Sequence, residues 1–106
     1  KAAINMFTKV LAIELGPHQI RVNAVAPGLI LDEVMSLPVP ADANDYVGTL
    51  LKGIPLGRTG EPEDIAHMVV FLSSDQASWV SGEVFGVNGA SQAGRTHLPP
   101  STPRRE

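Results

Sequence analysis

The sequence has 106 residues, with 8 Lys+Arg against 11 Asp+Glu, 43% hydrophobic and 5% aromatic residues, and no cysteine. Zero cysteine excludes disulfides, thiolate catalysis and cysteine-ligated zinc, and fits a reducing cytoplasm. A net charge of −3 gives no electrostatic footprint for a nucleic-acid backbone, no apolar run approaches the roughly 20 residues of a membrane span, and the first residues do not read as a secretory signal.

Residues 1–15 predict a helix. Ile4, Phe7, Leu11 and Leu15 line one face and Ala3, Met6, Val10 and Ile13 an adjacent one. A helix this apolar is expected to be buried on more than one side, against a sheet and then a second helix or subunit. It opens on Lys1 with no cap and no preceding loop, as in a chain cut from a longer one. Gly16-Pro17 ends it, the glycine accepting a left-handed terminal conformation and the proline refusing to continue. Residues 20–26 (IRVNAVA) are β-branched and poor in charge, as in a central strand of a parallel sheet, and Pro27-Gly28 stops that strand. Helix, turn, strand and break together make half of an α/β repeat. Ligands in such folds bind beyond the carboxyl ends of the strands, which places residues 27–32 at a binding edge.

Residues 29–57 are irregular and punctuated by Pro38, Pro40 and Pro55, with one short helix predicted over 43–52, begun by Asp42. A lid or binding loop and an ordinary surface loop both fit this stretch. A second clear helix spans 61–74: Pro62 suits the first helical position, and Glu63 and Asp64 put negative charge at the positive end of the dipole. Ile65, Val69 and Leu72 form its expected inner face, with Met68 beside them. Residues 78–82 turn and 83–88 (EVFGVN) read as a last strand. The remainder, 91–106, is rich in Pro, Ser and Arg and is expected to be a disordered tail.

The order of these pieces resembles the short-chain dehydrogenase/reductase superfamily. The resemblance rests on Lys1-Ala2-Ala3, on IELGPHQIRVNAVAPGLI and on PLGRTGEPEDIAHMVVFLSSDQASWVSGEVFGVNGA, and it covers residues 1–90. It implies an α/β chain forming the C-terminal portion of a Rossmann-type doubly wound parallel sheet. The implied parent enzyme carries hydride between NAD or NADP and a small-molecule carbonyl or alcohol, as a homodimer or homotetramer that commonly assembles through the first helix and the last strand region. Lys1 matches the lysine of the family's Tyr-x-x-x-Lys motif. There it implies a catalytic ammonium that lowers the tyrosine pKa and hydrogen-bonds the nicotinamide ribose. The tyrosine, four positions before that lysine in the motif, is not among these residues. Pro27, Gly28 and Ile30 match the Pro-Gly-x-Ile segment that supports the nicotinamide end of the cofactor. Asp32 departs from the family's usual threonine, and its charge sets it against a cofactor phosphate. Val34, Met35 and Leu37 fall in the variable substrate loop.

Other chemistry is thin. His18, His67 and His97 have no metal-site spacing. Glu63 and Asp64 read as helix-start charges, Arg58 as a helix-start donor as readily as a family consensus residue, and Trp79 as a packing anchor. No Gly-x-x-x-Gly-x-Gly pattern occurs, and the single tyrosine, Tyr46, lies in the variable region. The chain as given is therefore expected to be inactive, either as part of a complete oxidoreductase or as a non-catalytic remnant that serves only as an oligomerisation module. With so few strands it is expected to be poorly soluble or molten alone.

Overall fold

The computed structural model describes residues 2–31 and 43–94. Helix α1 spans Ala2–Leu15 and runs into a 3-10 turn, Gly16–His18. Strand β1 follows at Ala24–Pro27, then α2 at Ala43–Lys52, α3 at Pro62–Leu72, a second 3-10 turn at Asp75–Ala77 and strand β2 at Val84–Val87. The strands pair in parallel, Ala24 opposite Val84 and Pro27 opposite Val87. A parallel pair needs a long crossover, and α2 and α3 lie in it. Of the two, α3 packs on both strands.

The end of α1 differs from its sequence reading. Gly16 stays right-handed within the 3-10 turn, and Gln19 takes the left-handed conformation, at φ 60°. Ile20 N–H donates to the Leu15 carbonyl at 3.3 Å and Gln19 N–H to that of Gly16 at 2.9 Å. This is the paired bonding of a Schellman motif with glutamine where glycine is usual.

Strand β1 also begins later than the composition of 20–26 suggests, because Arg21, Val22 and Asn23 are bonded to the end of α3 and to the turns before β2. Arg21 Nη1 donates to the Leu72 carbonyl at 2.7 Å and Nη2 to that of Ser74 at 3.2 Å, satisfying carbonyls at the C-terminal end of α3. Asn23 Nδ2 donates to the Val80 carbonyl at 2.9 Å, and its Oδ1 accepts from Glu83 N–H at 3.2 Å. Val22 accepts from Gly82 N–H at 2.7 Å and donates to Ser81 Oγ at 3.1 Å.

Proline is the last residue of β1 rather than its stop. Ala24 and Gly28 donate to the Glu83 and Val87 carbonyls, each at 2.9 Å. That phase turns the nitrogen of Pro27 away from β2, where its missing hydrogen costs the ladder nothing.

Burial is sparse. Among the described residues the buried apolar side chains are Ile54, Leu72 and Ala77. The apolar faces of α1 are mostly open, with Phe7 61% and Ile13 77% exposed but Leu11 and Leu15 half-buried, and its buried residue is Thr8. Val69 is exposed too, leaving Ile65, Met68 and Leu72 as the inner face of α3. Trp79 is 98% exposed and anchors nothing among the described residues. Of the expected tail, residues 91–94 are described: Ser91 N–H reaches the Asn88 carbonyl and Ala93 N–H that of Ala90, in turns. Residues 95–106 lie outside the described residues.

Candidate functional site

Parallel pairing in register brings the carboxyl ends of β1 and β2 side by side, so whatever follows each strand gathers at one edge. Three segments do so: 28–31 after β1, 88–90 after β2, and 54–60 between α2 and α3. Ile54 is buried, and Leu56 N–H donates to the Gly89 carbonyl at 3.2 Å, tying the third segment to the second. Gly89 has φ +62°, and a Cβ there would lie 2.7 Å from Ile54 Cγ2, so both conformation and space require glycine.

The same segment also holds the first. Gly60 N–H donates to the Leu29 carbonyl at 2.8 Å, and the Gly60 carbonyl accepts from Leu31 N–H at 3.1 Å. Ile30 and Gly60 thus form a parallel bridge. Because Leu29 and Leu31 make its bonds, the amide and carbonyl of Ile30 face the other way, without a partner among the described residues. Leu29, Ile30, Arg58, Gly60, Asp64 and Asn88 help line a cleft of about 190 Å³ beneath this arrangement.

Pro27, Gly28 and Ile30 therefore stand together at the carboxyl edge. Gly28 has a packing reason for its identity: a Cβ there would sit 2.7 Å from Asn88 Cβ and 2.8 Å from Asn88 Cα. The space a side chain would take is filled by β2's continuation. Lys1, Asp32, Val34, Met35 and Leu37 lie outside the described residues, as do Asp42 and His97.

Electrostatics at the site centre on one ion pair. Arg58 Nη1 lies 2.9 Å from Asp64 Oδ2 and Nη2 3.2 Å from Asp64 Oδ1, a two-pronged contact of the kind guanidinium geometry favours. Asp64 Oδ2 also accepts from Glu61 N–H at 2.8 Å, so the third residue of α3 satisfies the amide that precedes the helix. The Arg58 guanidinium first, and the Glu61 amide second, hold the Asp64 carboxyl down at about 2. Arg58 is raised by the same partner. Asp64 is thus more than a helix-start charge. Glu61 and Asp64, three apart before an apolar run, have the spacing of a capping box, with glutamate where Ser, Thr, Asp or Asn is usual. The Arg58 contact crosses from loop to helix and has no such signal. Nor do the roles of Arg21, Asn23 and Asn88, whose partners lie far along the chain. Among the described residues no group of three or more His, Asp or Glu side chains could hold a metal ion, and no helix is long and apolar enough to cross a membrane.

A family model described as enoyl-(acyl carrier protein) reductase matches residues 1–90. The 3alpha-hydroxysteroid dehydrogenase of Mediterraneibacter gnavus is 51% identical over 94 residues, covering 88% of this chain and 36% of its own length. The 3-oxoacyl-[acyl-carrier-protein] reductase of Thermotoga maritima is 46% identical over 89 residues, 84% of this chain and 35% of its own. Among solved structures, a short-chain type dehydrogenase/reductase from Mycobacterium ulcerans superposes with a TM-score of 0.74 at 36% identity, over 89% of this chain and 34% of that one. A 4-hydroxyisoleucine dehydrogenase complexed with NADH and succinate gives 0.74 at 31% identity, over 88% and 36%. The chain thus spans about a third of the length of the relatives it matches.

Proposed function

The chain belongs to the short-chain dehydrogenase/reductase family, and we propose that it builds the nicotinamide-facing C-terminal part of an oxidoreductase that moves hydride between NAD or NADP and a carbonyl or alcohol. The fold is the corresponding part of a Rossmann-type α/β sheet. The observation that carries the functional reading is the backbone of Ile30. Its amide and carbonyl, without a partner among the described residues, lie on one side of an extended residue at the carboxyl edge. One donor beside one acceptor matches a carboxamide, the polar group on a nicotinamide ring. Pro27, Gly28 and Ile30 would hold that end of the cofactor, Gly28 by letting β1 and Asn88 close up beneath it. When bound, the cofactor supplies or accepts the hydride.

In this reading Lys1 is the catalytic ammonium, favouring the phenolate of a tyrosine and holding the nicotinamide ribose. That assignment rests on the resemblance at Lys1-Ala2-Ala3. Val34, Met35 and Leu37 would line the substrate side. The names of the relatives suggest a ketone on a steroid or an acyl thioester as the substrate class. The open apolar faces of α1 support assembly as a homodimer or homotetramer, and the absence of cysteine is in keeping with the cytoplasm. Because the 106 residues contain neither the Gly-rich turn nor the Tyr-x-x-x-Lys pair, they are not expected to turn over substrate by themselves.

The test uses the protein as its gene encodes it. NADH and NADPH oxidation is followed with a 3-ketosteroid and a 3-oxoacyl thioester, and amide exchange at Ile30 is measured with and without cofactor. Oxidation of one cofactor together with slowed exchange at Ile30 is expected. No oxidation and no protection would overturn the proposal.

A further inference from the structure

Asp64 is placed to do more than start a helix. Its carboxylate gathers Arg58 by both terminal nitrogens and Glu61 by its amide, while Arg58 Nη1 also donates to the Thr59 carbonyl at 3.1 Å. Residues 58–61 are thereby wrapped around one anion. Gly60 lies within that wrap, and it is the residue from which Leu29 and Leu31 hang, by bonds of 2.8 and 3.1 Å. A side chain at Gly60 would run into Ile30 Cδ1, so the two backbones meet as closely as glycine allows. From carboxylate to guanidinium and wrapped loop, to Gly60, to the bridge at Ile30, every link is a hydrogen bond or a direct contact.

We propose that Asp64, acting with Arg58, is a positioning residue that sets the backbone of Ile30 at the carboxyl edge. Its consequence for cofactor affinity rests on the nicotinamide reading of Ile30; the positioning itself does not. Asp64→Asn separates this role from simple helix capping. Asparagine keeps an oxygen for the Glu61 amide but carries no charge to hold the guanidinium. Arg58 is half exposed in side-chain terms, at 57%, so its removal leaves the core untouched.

The experiment measures amide exchange at Gly60 and Leu31 in the protein as its gene encodes it, with Ala24 and Gly28 as ladder controls. Asp64→Asn and Arg58→Ala are each expected to speed exchange at Gly60 and Leu31 about tenfold while the controls stay within about twofold. Arg58→Lys, which keeps the charge and loses the fork, is expected to give about a threefold rise at the same two amides. In steady state Asp64→Asn is expected to raise the KM for the nicotinamide cofactor about tenfold, with kcat within about threefold. Unchanged exchange at Gly60 and Leu31, or a rise shared equally by Ala24 and Gly28, would overturn the positioning. A wild-type protein whose Ile30 amide ignores NADH and NADPH would instead sink the nicotinamide reading, and the exchange series would still decide the role of Asp64.

Discussion

Gly28 and Asn88 touch across the carboxyl edge so closely that a methyl group on Gly28 would sit 2.7 Å from Asn88 Cβ and 2.8 Å from Asn88 Cα. The two residues follow strands that are paired in register, so neither can retreat without breaking the ladder bond from Gly28 N–H to the Val87 carbonyl. Gly28→Ala is expected to cost about 1–3 kcal/mol, the usual range for overpacking a fixed backbone. Urea unfolding of the protein as its gene encodes it, the species used for every urea midpoint below, would measure it. Adding Asn88→Gly should recover less than half, because one of the two clashes is with backbone.

Arg21 stitches the start of β1 to the end of α3 through the carbonyls of Leu72 and Ser74. Arg21→Met leaves those carbonyls without their charged donor and is expected to cost about 2 kcal/mol. Arg21→Lys should recover less than half, since one ammonium cannot reach both acceptors from the guanidinium's fixed fork. The check is the urea midpoint at unchanged slope.

The Asp64 carboxyl titrates at about 2 in the folded protein against 3.8 for the free group. Its folded-state pKa lies below its unfolded one, so the stability it contributes is complete above the unfolded value and fades as pH falls through the folded value. The urea midpoint of the wild type should therefore exceed that of Asp64→Asn at neutral pH. The gap should narrow between about pH 4 and pH 2. A gap that stays constant through that window would refute the ion-pair origin.

Gln19 and Ala90 both hold positive φ, 60° and 73°. A side chain in the left-handed region costs about 1 kcal/mol or more, part of which glycine returns through its freer unfolded chain. Gln19→Gly and Ala90→Gly are each expected to stabilise by about 0.5 kcal/mol, read as a rise in urea midpoint.

The 106-residue chain prepared alone is expected to behave as a molten or aggregating species. Ile4, Met6, Phe7, Val10 and Ile13 stand open on α1, Trp79 is bare, and among the described residues the side of β1 facing away from β2 is an unpaired edge. Weak near-ultraviolet dichroism, dye binding and a broad melt should accompany ample helical signal. A sharp two-state melt from a soluble monomer would contradict this.

Local chemistry marked the helices well. Pro62 opens α3 as its fixed φ requires, the 43–52 prediction coincides with α2, and the α1 pattern ends at Leu15 as its apolar spacing implies. The Pro-Gly-x-Ile segment could likewise be placed at a strand's carboxyl edge, because a β-branched run followed by a break has few other outcomes in an α/β chain. These features depend on neighbours within a few residues, and periodicity, proline and glycine encode such neighbours directly.

Partners distant in the chain are not so encoded. Nothing near Arg21 or Asn23 announces that they bond to residues 72–83, and that attachment is what delays β1 to Ala24. Nothing near Gly28 announces Asn88, and nothing near Arg58 announces that Asp64 holds the loop on which Ile30 hangs. Apolar composition predicted burial for Phe7, Val69 and Trp79, yet burial is a property of what lies opposite, and in the described structure all three are exposed. Helix type and strand edge follow from the residues in order; the contacts that shape the site exist only once β1 and β2 lie side by side and bring distant segments within bonding distance.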